Sequence, residues 1–355
     1  MTNSSPSPGD AGVVLSEDAP DVSLSEAAAV LKTLYGIGGD LKVLPSERDH
    51  NFRVKADTGG EYVLKFTHPG EPRAVTNFQT MALSHIAAVD PGLLVPAVFP
   101  TREGELEPEF RSDSNPVRIV RLLSYLPGRI LADAPRSATQ DVRLGAFLAR
   151  LGRALRGFYH GAAGSIDLLW DVRQLPRVQM MVPEIGDVAR RALVARALEE
   201  AAGLALPVLP SLRAQVTHND LNPSNVVVAG SDADCIAGVL DFGDMVHGPL
   251  VCDVSVGAAY RFSPGEHPLA AAARFIAGYN RVTPLEDAEI AILFDLIRAR
   301  VAITQAIVNW QASRYPEKRE YVMRLDDELW TFLQDMSALS RGAALAYLKA
   351  RIEET

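Results

Sequence analysis

Apolar and polar residues change their rhythm once along this chain. In the first third, short apolar runs at residues 41–44, 51–54 and 61–66 alternate with turn chemistry, including Thr58-Gly59-Gly60. They predict three strands, the last two joined by a tight turn. Residues 95–99 and 117–126 predict two more, separated by the turn Arg102-Glu-Gly-Glu and a polar loop to Pro116. Two helices interrupt the strands. One is capped by Ser23 and Ser25 and runs to Tyr35, where Gly36 to Gly39 end it. The other spans 71–88, with Val75, Phe78, Ala82 and Ile86 on one stripe.

After Pro127-Gly128 the period is helical: 139–160, 183–203, 249–260, 267–281, 286–312 and 323–351. One exception stands inside it. Residues 226–228 and 236–240 are apolar and flank Ala229-Gly230-Ser231-Asp232, which predicts a β-hairpin. The fold class is therefore α+β: a small antiparallel-sheet lobe at 23–121, a link at 122–128 and a mostly helical lobe at 129–355. Residues 1–22 are rich in Ser, Pro, Gly and Asp and hold too few apolar residues to repay ordering. No internal repeat is visible.

Composition narrows the classes. The 355 residues are 48% hydrophobic and 22% charged, ordinary globular usage with length enough for two lobes. A net charge of −9 without a basic run argues against a nucleic-acid partner. No apolar run reaches the length of a membrane span. No basic stretch precedes an apolar core near the N-terminus, so no signal peptide is expected. Cys235 and Cys252 lie in apolar surroundings with no metal spacing, and a reducing, cytoplasmic setting is expected.

The predicted hairpin carries the chemistry. His218-Asn219-Asp220 precedes it, Asn225 follows five residues after the aspartate, and Asp241-Phe242-Gly243 follows the second strand. One carboxylate, one amide and a second carboxylate are thus delivered to one end of a rigid unit. Such a set moves a phosphoryl group: Asp220 accepts the proton of an attacking hydroxyl, while Asn225 and Asp241 hold Mg²⁺ against phosphates. Lys65 joins them from the strand Val63-Leu64-Lys65-Phe66. The chain has six lysines against 29 arginines, so a strand lysine is seldom incidental here. Its compact ammonium suits a point contact to phosphates. Alternation puts Val63 on the same face, against the nucleotide base.

The form His-x-Asp-x-x-x-x-Asn, with Asn219 where protein kinases carry Arg, resembles the aminoglycoside phosphotransferase and choline kinase superfamily. The string from Asp241 to Asp253 is most similar to the hydroxylysine kinases within it. The resemblance runs from about residue 25 to about residue 310. It implies a bilobal kinase-like fold using ATP or GTP with Mg²⁺, and a hinge at 122–128 whose backbone near Leu123 and Tyr125 faces the base. It implies that Asp253 supports the catalytic loop and that His218 fixes it without acting as base. A helix Glu usually pairs with the strand lysine, and the matching position here is Gln79, which would hold Lys65 by a neutral hydrogen bond. The loop Pro45-Ser-Glu-Arg-Asp-His-Asn51 has no glycine, though its backbone N–H groups could still cradle phosphates.

The expected activity is transfer of a phosphoryl group to an amino alcohol or hydroxy amino acid, a hydroxylysine-like acceptor being favoured. The partners are nucleotide and acceptor; the oligomeric state is not legible. Trp170 and Asp171 could receive an ammonium, or could be a core Trp beside a capping Asp. Arg298 or Arg300 could receive a carboxylate. A nucleotide-binding scaffold without catalysis is one rival, resting on Gln79 and the absent glycine loop; a hydrolase using Asp220 and Asp241 with a metal is another. Aminoglycosides, choline and homoserine are alternative acceptors.

Overall fold

The computed structural model describes residues 22–354 apart from 47–48, 113–114, 317–318 and 324–325. The expected unstructured tail lies outside the described residues except for Val22, which is buried and donates its N–H to His50 Nδ1 at 2.9 Å. Helix α1 (Leu24–Val30) starts from a capping box, Ser23 and Glu26 each satisfying the other's backbone N–H. It continues as a wider π turn to Tyr35, and Gly36 stops it at φ 70°.

The small lobe is an antiparallel sheet of β1 (Gly39–Leu44), β2 (His50–Ala56), β3 (Glu61–Phe66), β4 (Val98–Phe99), β5 (Glu109–Ser112) and β6 (Asn115–Ser124). Its order is β1-β2-β3-β6-β4, with β5 also along β6. Alternation sorts its faces. Phe52, Val54, Leu64, Phe66, Val120 and Leu122 form a core with α1. Lys65 and Arg121, direct cross-strand partners, turn the other way, where Arg121 meets α2 (Arg73–Val89). The apolar stripe of α2, Phe78, Ala82, Leu83 and Ile86, joins the core of the large lobe instead. Phe78 stacks on Phe158 with ring centroids 6.0 Å apart.

Two readings of this lobe need correction. The expected strand at 95–99 shrinks to β4, because Pro96 and Pro100 have no N–H to give a ladder. The expected polar loop contains β5, held by pairing to β6.

The chain leaves the small sheet at Ser124. At Arg129 it enters a second sheet, where β7 (Arg129–Ile130) pairs with β9 (Val226–Val228), and β9 pairs with β10 (Ile236–Val239). The expected hairpin is thus β9–β10, widened by β7. A ribbon that sequence reading missed, β8 (Ala214–Thr217) with β11 (Val246–Pro249), brackets it.

Helices α3 (Ala138–Ala154), α4 (Leu175–Gln179), α5 (Val188–Leu204), α6 (Leu250–Ala259), α7 (Ala270–Val282), α8 (Asp287–Ile290), α9 (Leu293–Arg314), α10 (Arg319–Val322), α11 (Asp326–Ser337) and α12 (Arg341–Glu353) complete the lobe. The fold class is the expected one, a small antiparallel-sheet lobe on a mostly helical lobe. The single helix expected at 323–351 is two, since Ser340 caps α12 through the N–H of Ala343. Helix α9 is buried over most of its length and forms the axis of the lobe. Helices α3 and α7 cross at backbone contact. A Cβ on Gly145 would lie 1.9 Å from the Phe275 carbonyl oxygen, and one on Gly278 2.1 Å from that of Val142. No described helix is long and apolar enough to cross a membrane.

Candidate active site

Strand β8 runs directly into His218-Asn219-Asp220, and β10 runs through Leu240 into Asp241. Both loops turn through left-handed backbone, Asn219 at φ 62° and Asp241 at φ 53°. Asn and Asp are the side chains that tolerate this region best. Asp253, in the first turn of α6, fixes the first loop by accepting the N–H of His218 at 3.3 Å and of Asn219 at 2.8 Å. Burial pushes its carboxyl upward, and those two N–H groups oppose the shift.

His218 is fully buried. Its Nε2 lies 3.0 Å from the Leu240 carbonyl, and its Nδ1 accepts the Asp220 N–H at 3.3 Å. A carbonyl only accepts, so the hydrogen sits on Nε2. With both ring nitrogens engaged, His218 ties the Asp220 loop to the Asp241 loop.

Asp220 is held on both oxygens. Oδ2 accepts Asn225 Nδ2 at 2.6 Å and Asn222 Nδ2 at 2.9 Å. Oδ1 accepts Arg300 Nη2 from α9 at 3.2 Å. Asn225 also donates to the Asp220 carbonyl at 3.1 Å and accepts the Leu240 N–H on its own carbonyl at 2.7 Å. These bonds bring Asp220 and Asn225 together and set them beside the residue preceding Asp241. Burial pushes the Asp220 carboxyl up to about 8; Asp244 and Asp241 add to the rise, while Arg300 and the Asn222 amide oppose it.

The amide hydrogens of Asn225 go to Asp220, so Oδ1 is the atom it would offer a cation. Asp241 is exposed, and its Oδ1 accepts the Gly243 N–H at 3.0 Å. One amide oxygen and one carboxylate suit Mg²⁺, which takes its remaining oxygens from phosphates and water. Among the described residues no group of three or more His, Cys, Asp or Glu could hold a metal by itself.

The small-lobe side departs from expectation. Lys65 Nζ donates to Asp49 at 2.8 Å, and Gln79 Oε1 accepts Arg121 Nη2 at 2.9 Å. Gln79 does not hold Lys65, because the buried guanidinium opposite Lys65 needs an acceptor and takes the amide. Val63 is half-buried and pairs with Leu123. The N–H of Tyr125 is spent on the Glu61 carbonyl at 3.1 Å, so that donor does not face a base. Its ring lies under Arg53, 4.0 Å from the centroid.

Around Asp220, Trp170 gives Arg300 a backbone carbonyl at 2.8 Å and a ring face at 5.3 Å. Asp171 is buried, caps the next turn and binds Arg173 through its N–H and its guanidinium. That is the capping alternative, and its carboxylate is committed to Arg173 and not to an ammonium. Arg298 bonds Glu200 at 2.6 Å. Arg300 faces Asp220. Asp49, Arg121, Asn222 and Asp244 were missed. Asn222 lay inside the motif and could have been found as an Asx turn closing on Ser224.

The sequence profile of the phosphotransferase enzyme family matches residues 40–289. The chain belongs to this family. This phosphotransferase acts on an alcohol group of a small molecule. It is 27% identical to hydroxylysine kinase of Bos taurus over 346 residues, covering 91% of this chain and 92% of that one. The solved microcompartment-associated aminopropanol kinase superposes with a TM-score of 0.68 at 19% identity, over 93% of this chain and 99% of its own. An amicoumacin kinase in complex with AMP-PNP, Ca²⁺ and Ami superposes at 0.63 with 15% identity, over 87% of this chain and 94% of its own. The fold is that of the small-molecule kinases.

Proposed function

We propose that this phosphotransferase transfers the γ-phosphoryl group of ATP or GTP to a hydroxyl of an amino alcohol or hydroxy amino acid, with a hydroxylysine-like acceptor favoured. The observation that carries the reading is the Asp220 carboxylate, raised in basicity and gripped on both oxygens, with Asn225 and Asp241 beside it. The acceptor oxygen attacks phosphorus, its proton passes to Asp220, and the bond to the nucleoside diphosphate breaks. The Asn222 and Asn225 amides fix one carboxylate oxygen. Arg300 restrains the other. Asn225 Oδ1 and Asp241 would hold Mg²⁺, which offsets phosphate charge when bound. Lys65 contacts the nucleotide phosphates, and Val63 and Leu123 lie on the face that receives the base.

The acceptor reading rests on similarity to hydroxylysine kinases across nine-tenths of both chains. Two free cysteines, Cys235 and Cys252, fit a reducing cytoplasmic setting. The test is release of ADP or GDP with and without acceptor, over 5-hydroxylysine, homoserine, 1-amino-2-propanol, choline and an aminoglycoside. Acceptor-dependent release, strongest with hydroxylysine, is expected. Equal release with and without every acceptor overturns the reading.

A further inference from the structure

The cation at the nucleotide site takes its partner from an unexpected element. Lys65 Nζ sits 2.8 Å from Asp49 Oδ2, with side-chain exposures of 16% and 15%. Asp49 Oδ1 accepts the N–H of His68, two residues past the end of β3, at 2.8 Å. Both carboxylate oxygens are thus fixed, one by the lysine and one by the backbone that continues its strand. Lys65 lowers the Asp49 carboxyl below its usual range despite burial.

Among the described residues no other acid pairs with Lys65. The amide of Gln79 on α2 is taken by Arg121. Glu107, the next acid in the field of Arg121, accepts from Asn77 at 3.1 Å. Lys65 and Arg121 stand directly opposite each other on β3 and β6. Two adjacent cations repel, and Asp49 is the carboxylate in contact with the more mobile of the two. A lysine stem has four rotatable bonds, so a fixed ammonium needs an anchor.

We propose that Asp49, from the β1–β2 connection, is the positioning residue of the nucleotide site, holding the Lys65 ammonium where the phosphates arrive, while Gln79 of α2 serves Arg121. The proposal rests on the reading of Lys65 as a phosphate contact. A competing physical effect runs the other way. Asp49 is an anion beside the phosphate subsite, and a pure competitor would weaken nucleotide binding. The two roles have opposite signs, so kinetics separates them.

The experiment is a double-mutant cycle on the full chain, Asp49→Asn with Lys65→Met, measuring nucleotide KM, acceptor KM and kcat. Thermal melting confirms that each variant folds. Asp49→Asn is expected to raise nucleotide KM about tenfold, leave acceptor KM within about twofold, and add less than about twofold in the Lys65→Met background. Asp49→Glu keeps the charge and is expected to restore most of the loss. If Asp49→Asn does not fold, the cycle is run with Asp49→Glu, whose longer arm gives a smaller rise that vanishes when Lys65 is absent. A lowered nucleotide KM in Asp49→Asn, or the same penalty in both backgrounds, overturns the proposal. A damaging Lys65→Met beside a silent Asp49→Asn overturns it alone. A harmless Lys65→Met overturns both it and the reading beneath it.

Discussion

Arg300 Nη2 donates to Asp220 Oδ1 at 3.2 Å, across 80 residues of chain, and so ties the central helix of the large lobe to the loop after β8. Its other Nη is fixed by the Trp170 carbonyl. This guanidinium opposes what burial, Asp244 and Asp241 do to the same carboxyl.

A pH dependence follows with a definite sign. Asp220 accepts a proton only when ionised, and its carboxyl is raised to about 8. The acid limb of kcat/KM should therefore rise through about pH 8 and level above it. Arg300→Met removes an opposing cation, so the limb moves to higher pH and the loss is greatest on the acid side. Profiles of the two proteins between about pH 6 and 10 decide it; superimposable acid limbs exclude Arg300 as a partner of the base.

Asp220→Asn preserves shape and removes the proton acceptor. Single-turnover transfer should fall by about 10²–10⁴, with nucleotide affinity changed little. Turnover near that of the unaltered protein would show that another group takes the proton.

Asp241→Ala should abolish Mg²⁺-dependent nucleotide binding, because the charged ligand is lost. Asn225→Ala should weaken it less, since an amide brings no charge to the ion. Titration calorimetry with Mg-nucleotide reads both. Equal affinity in Asp241→Ala and the unaltered protein rules out the assignment.

Gln79→Leu strips the buried Arg121 guanidinium of its amide acceptor. The expected cost is about 1–3 kcal/mol of stability, with nucleotide KM changed only a few-fold because Lys65 keeps Asp49. Gln79→Glu gives Arg121 a carboxylate and should be tolerated. Denaturant melts and steady-state kinetics on the pair test this. A nucleotide defect in Gln79→Leu as large as that of Lys65→Ala contradicts it.

What was legible in the chain was local. His218, Asp220, Asn225 and Asp241 sit within one hairpin and its flanks, so their spacing alone places them together. Partnerships set by register were not legible. Arg121 meets Gln79 because β6 pairs with β3 so that Arg121 faces Lys65, and no local pattern states that pairing. Asp49 reaches Lys65 from a connection that read as a phosphate cradle. Short strands escaped for a different reason: β7 has two residues, and its order comes from β9 rather than from its own alternation. The break between α11 and α12 carried a signal in Ser340, overridden by an apolar period that runs on through Leu339, Leu345 and Leu348.

Gly145 and Gly278 set the lateral spacing of α3 and α7 by main chain rather than by side chains. Side chains between helices can change rotamer and let a pair slide; at these two points the contact is main chain and cannot. The amino end of α3 is in turn pinned to the turn of the catalytic hairpin, Gln140 Nε2 donating to the Ala233 carbonyl at 2.7 Å. A shift of α7 would therefore be passed through α3 to the hairpin between Asn225 and Asp241. A single methyl at either glycine would be felt as misalignment of Asn225 and Asp241.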